Sequence, residues 1–247
     1  MSDTTERRKS DRGRPRSGTT PRPDLSPSDQ ILDAAAHLFV ERGYAATSTR
    51  AIADEVGIRQ ASLYYHFDSK ERILEVLLMR TVRPSALVSD LMTASSAEAT
   101  ARLYALVCFD ANQLFTGTYN VGVLYFLPEV HQQRFDVFRA ERARLRKAYG
   151  SLVGQSVAPE LARELGSTTT GVAAPRVDHL VDVVFGMVES AISIRSDRPE
   201  TDPGLLVSTI AQGCMRVLGH DSATIAAIAA TAGQLLDGID TDALRSD

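Results

Sequence analysis

Thr47–Lys70, TSTRAIADEVGIRQASLYYHFDSK, reads as two short helices joined by a glycine turn, with a third helix starting directly after them. Ile52, Ala53 and Val56 fall at helical spacing and give the first short helix one apolar stripe. Gly57 stands where a left-handed C-terminal residue is needed, a conformation glycine takes without a Cβ penalty. Ile58 and Leu63 restart the apolar pattern, and Ala53 is small where two steeply crossed helices must approach. Asp68 and Glu71 have the spacing of a capping box, which predicts the start of the next helix. These features together describe a helix-turn-helix, whose second helix can enter a DNA major groove.

The residues left facing outward suit that task. Gln60 and Ser62 can reach base edges, and Ala61 offers an apolar contact to a thymine methyl. Arg50, Arg59, Tyr64, Tyr65, His66 and Lys70 surround them with donors for phosphate oxygens. Aromatic residues near a helix end also serve as core, so the two tyrosines admit a packing role as well.

Residues 30–74, QILDAAAHLFVERGYAATSTRAIADEVGIRQASLYYHFDSKERIL, resemble the N-terminal DNA-binding domain of the tetracycline-repressor (TetR) family. The likeness covers the first helix (Ile31, Ala34, Ala35, Leu38, Phe39), the Gly43-Tyr44 turn, the helix-turn-helix and the closing LYYHF-x-SKE run. It implies DNA contacts at Arg50, Gln60, Ser62, Tyr64, Tyr65, His66 and Lys70. Two positions depart from the pattern: Arg59 replaces a capping Ser or Thr, and Thr49 replaces an apolar residue. The implied fold is all-α, a three-helix N-terminal domain at 28–72 and a larger C-terminal helical bundle at 73–238.

Outward from this core, residues 1–27 are polar and rich in Ser, Thr, Pro and Arg, a composition that does not bury a core. Their Arg12-Gly13-Arg14-Pro15 resembles an AT-hook, with Arg14 the expected minor-groove insertion. A basic solubilising tail is the alternative. The chain of 247 residues carries a net charge of −4, which alone argues mildly against a polyanionic partner. The sign is uneven: residues 1–70 hold 11 basic and 10 acidic side chains, residues 71–247 hold 16 and 21. Binding would then rest on where the cations point and on two copies acting together.

The C-terminal part reads as a connector helix from Ser69 to about Leu91, bent near Pro84, and a helix from Ala97 to about Thr118. Further helices follow from about Gln132 to Val153, from Pro175 to Ser196, from Pro203 to Leu218 and from Asp221 to Leu236, with a fraying tail at 239–247. The helices after Pro175 and Pro203 are apolar around more of their surface than one core needs, which predicts a two-fold homodimer. The resemblance implies a small-molecule effector pocket in this bundle. Phe109, Asp110, Gln113, Tyr125, Phe126, Phe138, Phe185 and Glu189 are its candidate lining, suited to an apolar or amphipathic effector, though each aromatic also fits plain core. Asp110, on an apolar stripe, either pairs with a cation or marks a polar spot in a cavity.

Catalytic motifs are missing: there is no GxSxG, P-loop, GxGxxG or HExxH, and His179 with Asp182 is the one helical pair of metal-ligand type. No enzyme, cofactor or metal is expected. Cys108 and Cys214 lack redox or metal spacing, and neither a signal peptide nor a ~20-residue apolar span is present, which points to the cytoplasm. The reading is a dimeric regulator, a repressor on a palindromic operator. An effector-independent architectural protein and a regulator gated by a protein partner are the alternatives.

Overall fold

A computed structural model describes residues 25–165 and 176–240; the arm with Arg14, residues 166–175 and most of the tail lie outside them. The described residues form ten α-helices and three short 3₁₀ segments, without a strand.

The first helix, α1 (Pro27–Arg42), begins slightly earlier than the sequence suggests. Proline supplies a preset φ at its start, and the Ser26 hydroxyl accepts from the Asp29 N–H at 3.1 Å. Its Ile31, Ala35, Leu38 and Phe39 are buried, α1 packing against α2 (Thr49–Val56) and α4 (Lys70–Ala94) while α3 (Gln60–His66) packs on α2. A seven-residue helix such as α3 does not persist alone, because nucleation outweighs so few hydrogen bonds. Burial of Leu63 and Phe67 holds it, each contributing roughly 2 kcal/mol.

Helix α4 joins the two parts. Its cap is Ser69, whose hydroxyl accepts from the Arg72 N–H, so the predicted box at Asp68 sits one residue too early; Asp68 instead accepts from the Ser69 hydroxyl. Pro84 lies buried within α4 and does not end it. Beyond come α5 (Ala99–Thr116), the 3₁₀ segments Val121–Phe126, Pro128–His131 and Gln133–Phe135, and α6 (Asp136–Ser156). The chain continues through α7 (Pro159–Leu165), α8 (Val177–Asp197), α9 (Pro203–Val217) and α10 (Ser222–Asp237).

Helix α5 is the axis of the larger domain, packed by α4, α6, α8, α9 and α10. Leu103, Leu106, Val107 and Ala111 meet Tyr149, Val184, Val188, Cys214 and Met215 in one core. Burial pushes both thiols, Cys108 and Cys214, up to about 12, and neither is in a disulfide. The two domains also meet away from α4. The 121–126 turn packs on α1, and the His37 ring lies against Tyr119 at 5.5 Å; on α4 itself, Arg80 pairs with Asp29 of α1 at 2.6 Å. None of the described helices is long and apolar enough to cross a membrane.

Candidate nucleic-acid interface

The turn between α2 and α3 is made by Gly57 at φ 82° and ψ 24°, with its N–H and that of Ile58 both donating to the Ala53 carbonyl. Ile52, Ala53 and Leu63 are fully buried behind it, which fixes the roll of α3. That roll leaves Gln60, Ala61, Ser62, Tyr64, Tyr65 and His66 on the exposed side. Tyr65 is 87 % and Tyr64 48 % exposed, so neither packs as core. This outward row of amides, hydroxyls and aromatic rings matches what base edges and phosphates require.

The row is already ordered. Thr49, at the start of α2, accepts from Gln60 Nε2 at 3.0 Å and shares a 3.1 Å hydrogen bond with the Tyr64 hydroxyl. This position, a departure from the resembled pattern, therefore ties the two helices across the exposed face. Arg59 caps α3 without a side-chain hydrogen bond, as its chemistry predicts, and its charge is exposed. Arg50 is exposed and lies 3.9 Å from Asp54, a loose pair of little energetic weight.

Lys70 is placed differently from a free phosphate donor. Its ammonium donates to the Tyr44 and Thr47 carbonyls, 2.9 Å each, and sits 4.2 Å from the centre of the Tyr44 ring. It locks the α1–α2 turn to α4. Beside it a cleft of roughly 470 Å³ is lined by residues 45–49, Tyr64 and residues 68–71. The first residues of α2 and α4 thus share one cleft, where N-terminal N–H groups favour an anion. Asp68 and Glu71 add negative charge at its edge, the latter offset by Arg134 at 3.4 Å.

In the larger domain, the candidate lining residues converge only in part. Asp110 is buried with no ion-pair partner in direct contact among the described residues: its oxygens accept from the Ser85 hydroxyl at 2.8 Å and the Tyr149 hydroxyl at 3.1 Å. Desolvation raises its pKa from 3.8 to about 6, against those two hydrogen bonds. Gln113 donates to the Thr81 carbonyl and Tyr125 to the Thr81 hydroxyl, 2.6 Å each. Glu189 pairs with Arg142, whose guanidinium lies 5.7 Å from the Tyr125 ring centre and 5.4 Å from that of Phe185. Phe138 stacks on Tyr125. Phe109 is half-buried, and Phe126 is 69 % exposed, outside this cluster. Thr81, Ser85, Arg142 and Tyr149 belong to it although the sequence reading passed over them. His179 and Asp182 serve separate partners, the Arg176 backbone N–H and Arg146, and the described residues hold no three-ligand metal cluster.

Residues 31–77 match the profile described as bacterial regulatory proteins, tetR family. Over 49 residues, 20 % of the chain, the sequence is 55 % identical to the HTH-type transcriptional repressor KstR2 of Rhodococcus jostii; the match spans only 24 % of that protein. Similarly, 47 residues are 55 % identical to IcaR, a biofilm operon negative regulator of Staphylococcus aureus, over 25 % of its length. Among solved structures, Mycobacterium smegmatis AmtR is similar throughout, at 42 % identity and a TM-score of 0.76 over 88 % of this chain and 98 % of that one. On the strength of that whole-length likeness and the matched helix-turn-helix, the chain belongs to the TetR family of bacterial regulatory proteins.

Proposed function

We propose that the protein is a transcriptional repressor that binds a palindromic operator as a homodimer and is released by a small amphipathic effector in its larger domain. The observation that carries the reading is the exposed polar row on α3 with Leu63 buried behind it, the arrangement a recognition helix needs to enter a major groove. Gln60 and Ser62 would read bases, Ala61 a thymine methyl, and Arg50, Arg59, Tyr64, Tyr65 and His66 would hold phosphates. Lys70 would act chiefly by fixing the α1–α2 turn.

A second copy is supported by apolar surface that the chain leaves uncovered. Val183 on α8 and Leu205 on α9 are 46 % and 67 % exposed, and the space beside Gly186 is open. Gly213, by contrast, is already filled from within, for a Cβ there would meet Met187 at 2.6 Å. Two protomers would set two recognition helices at a fixed spacing.

Release follows from linkage: an effector that prefers a conformation with the wrong spacing must weaken DNA binding by the same factor. The route would run through α4, because Thr81 and Ser85 tie it to Tyr125, Gln113 and Asp110 in the interior cluster. Repression, and not activation, is favoured by the named roles of the two partial relatives. Footprinting of genomic fragments tests the whole: protection of one short two-fold sequence at two chains per site is expected. Even, sequence-tolerant coverage would instead mark an architectural DNA-binding protein.

A further inference from the structure

We infer that the interior cluster is a subsite for an organic cation, an amidinium, guanidinium or ammonium on a small apolar body, and that Arg142 occupies it as the chain's own stand-in. The inference deepens the effector reading above and rests on it. Arg142 already displays the recognition: a planar cation near the Tyr125 and Phe185 rings, held by the Glu189 carboxylate. The fit is incomplete. Its Nε is buried without a hydrogen-bond partner, and so is Gln113 Oε1, an acceptor of the same cluster. Two carboxyl groups, Asp110 and Glu189, act electrostatically on the cluster together with the Arg142 cation.

Other ligand classes fit less well. An anion could use Arg142 only by taking it from Glu189, and would then face two carboxyl groups. A neutral apolar molecule would meet a charged pair and give it no new partner, at a desolvation cost. A cation that displaces Arg142 keeps the rings and Glu189, and the Asp110 carboxyl acts on it through space as it does on Arg142. Arg142 can leave, since its side chain is 35 % exposed and among the described residues its one ion-pair partner is Glu189. Departure would remove a tie between α6 and α8, and α6 packs along α4, the helix that carries the DNA-binding domain.

Calorimetry on the full chain, with benzamidine, its neutral isostere benzamide and the anion benzoate, tests this. Benzamidine is expected to bind about tenfold or more better than either, and Glu189→Gln to remove most of that preference. Arg142→Ala, which empties the subsite, is expected to tighten benzamidine; an anion site would instead lose benzoate. Should Arg142→Ala fold poorly, Arg142→Met keeps the stem, and a rise in its melting temperature with millimolar guanidinium, absent in the wild type, reads the same vacancy. Preference for benzoate or benzamide, or indifference to Arg142→Ala with no guanidinium rescue of Arg142→Met, would overturn the inference. Operator anisotropy separates the two readings. Benzamidine that binds without releasing DNA upholds the subsite and sinks the effector role; release by benzamide with no benzamidine binding does the reverse.

Discussion

Asp110 couples folding to pH in the mildly acidic range. Its carboxyl titrates at about 6 in the folded chain against an ordinary 3.8, because burial penalises the charged form. The raised value means that the contribution to stability is fully present below the ordinary pKa and is lost as pH rises through 6. A shift of about two units corresponds to roughly 2–3 kcal/mol. Asp110→Asn removes the titration, so its stability relative to wild type should rise by about that amount between pH 4 and 7.5. Urea unfolding of both proteins at the two pH values checks it; parallel changes would mean that Asp110 is not the titrating group. Arg142 shows how a residue of this cluster escapes a sequence reading. The arginines of its helix, Arg139, Arg142, Arg144 and Arg146, read together as a solvated face, yet Phe138, Leu145, Tyr149 and Leu152 are buried at spacings that put Arg142 on the same stripe. Charge hid a position that periodicity had marked.

Among elements, the α2–turn–α3 unit is the most legible, because each local signal agrees with the next. Gly57 has the left-handed conformation its place demands, and Leu63 faces inward. Gly57→Ala should cost about 1–2 kcal/mol through the forced positive φ. It should also weaken operator binding, because the roll of α3 depends on that turn. Thermal unfolding and fluorescence anisotropy of one preparation check both, and an unchanged melting temperature would contradict the strain. Boundaries were less legible. The cap of α4 moved from Asp68 to Ser69, since either side chain can accept from the first turn and only the backbone path selects one. The candidate lining was harder still: Asp110 and Tyr125 face the cluster, while Phe126, next in sequence, points to solvent. A 3₁₀ segment turns neighbours apart in a way that no helical stripe predicts.

The whole molecule must bind a polyanion with a net charge of −4. Geometry answers part of this, through exposed Arg50 and Arg59 and through helix starts sharing the cleft beside Tyr64. Two copies would answer more, and the proposed Arg14 arm would add minor-groove cations. Truncation of residues 1–24, which spares the Ser26 cap, should therefore flatten the dependence of log K on log salt by about one to three units. An unchanged slope would leave the arm no role on DNA. The central claim, that the outward row of α3 reads a duplex, is met most directly by the affinity of a Gln60→Ala/Tyr64→Ala double variant for the preferred operator. Both side chains are exposed, so the melting temperature should stay within a few degrees while binding falls by about a hundredfold or more. A well-folded double variant that holds its operator as tightly as the wild type would contradict the account.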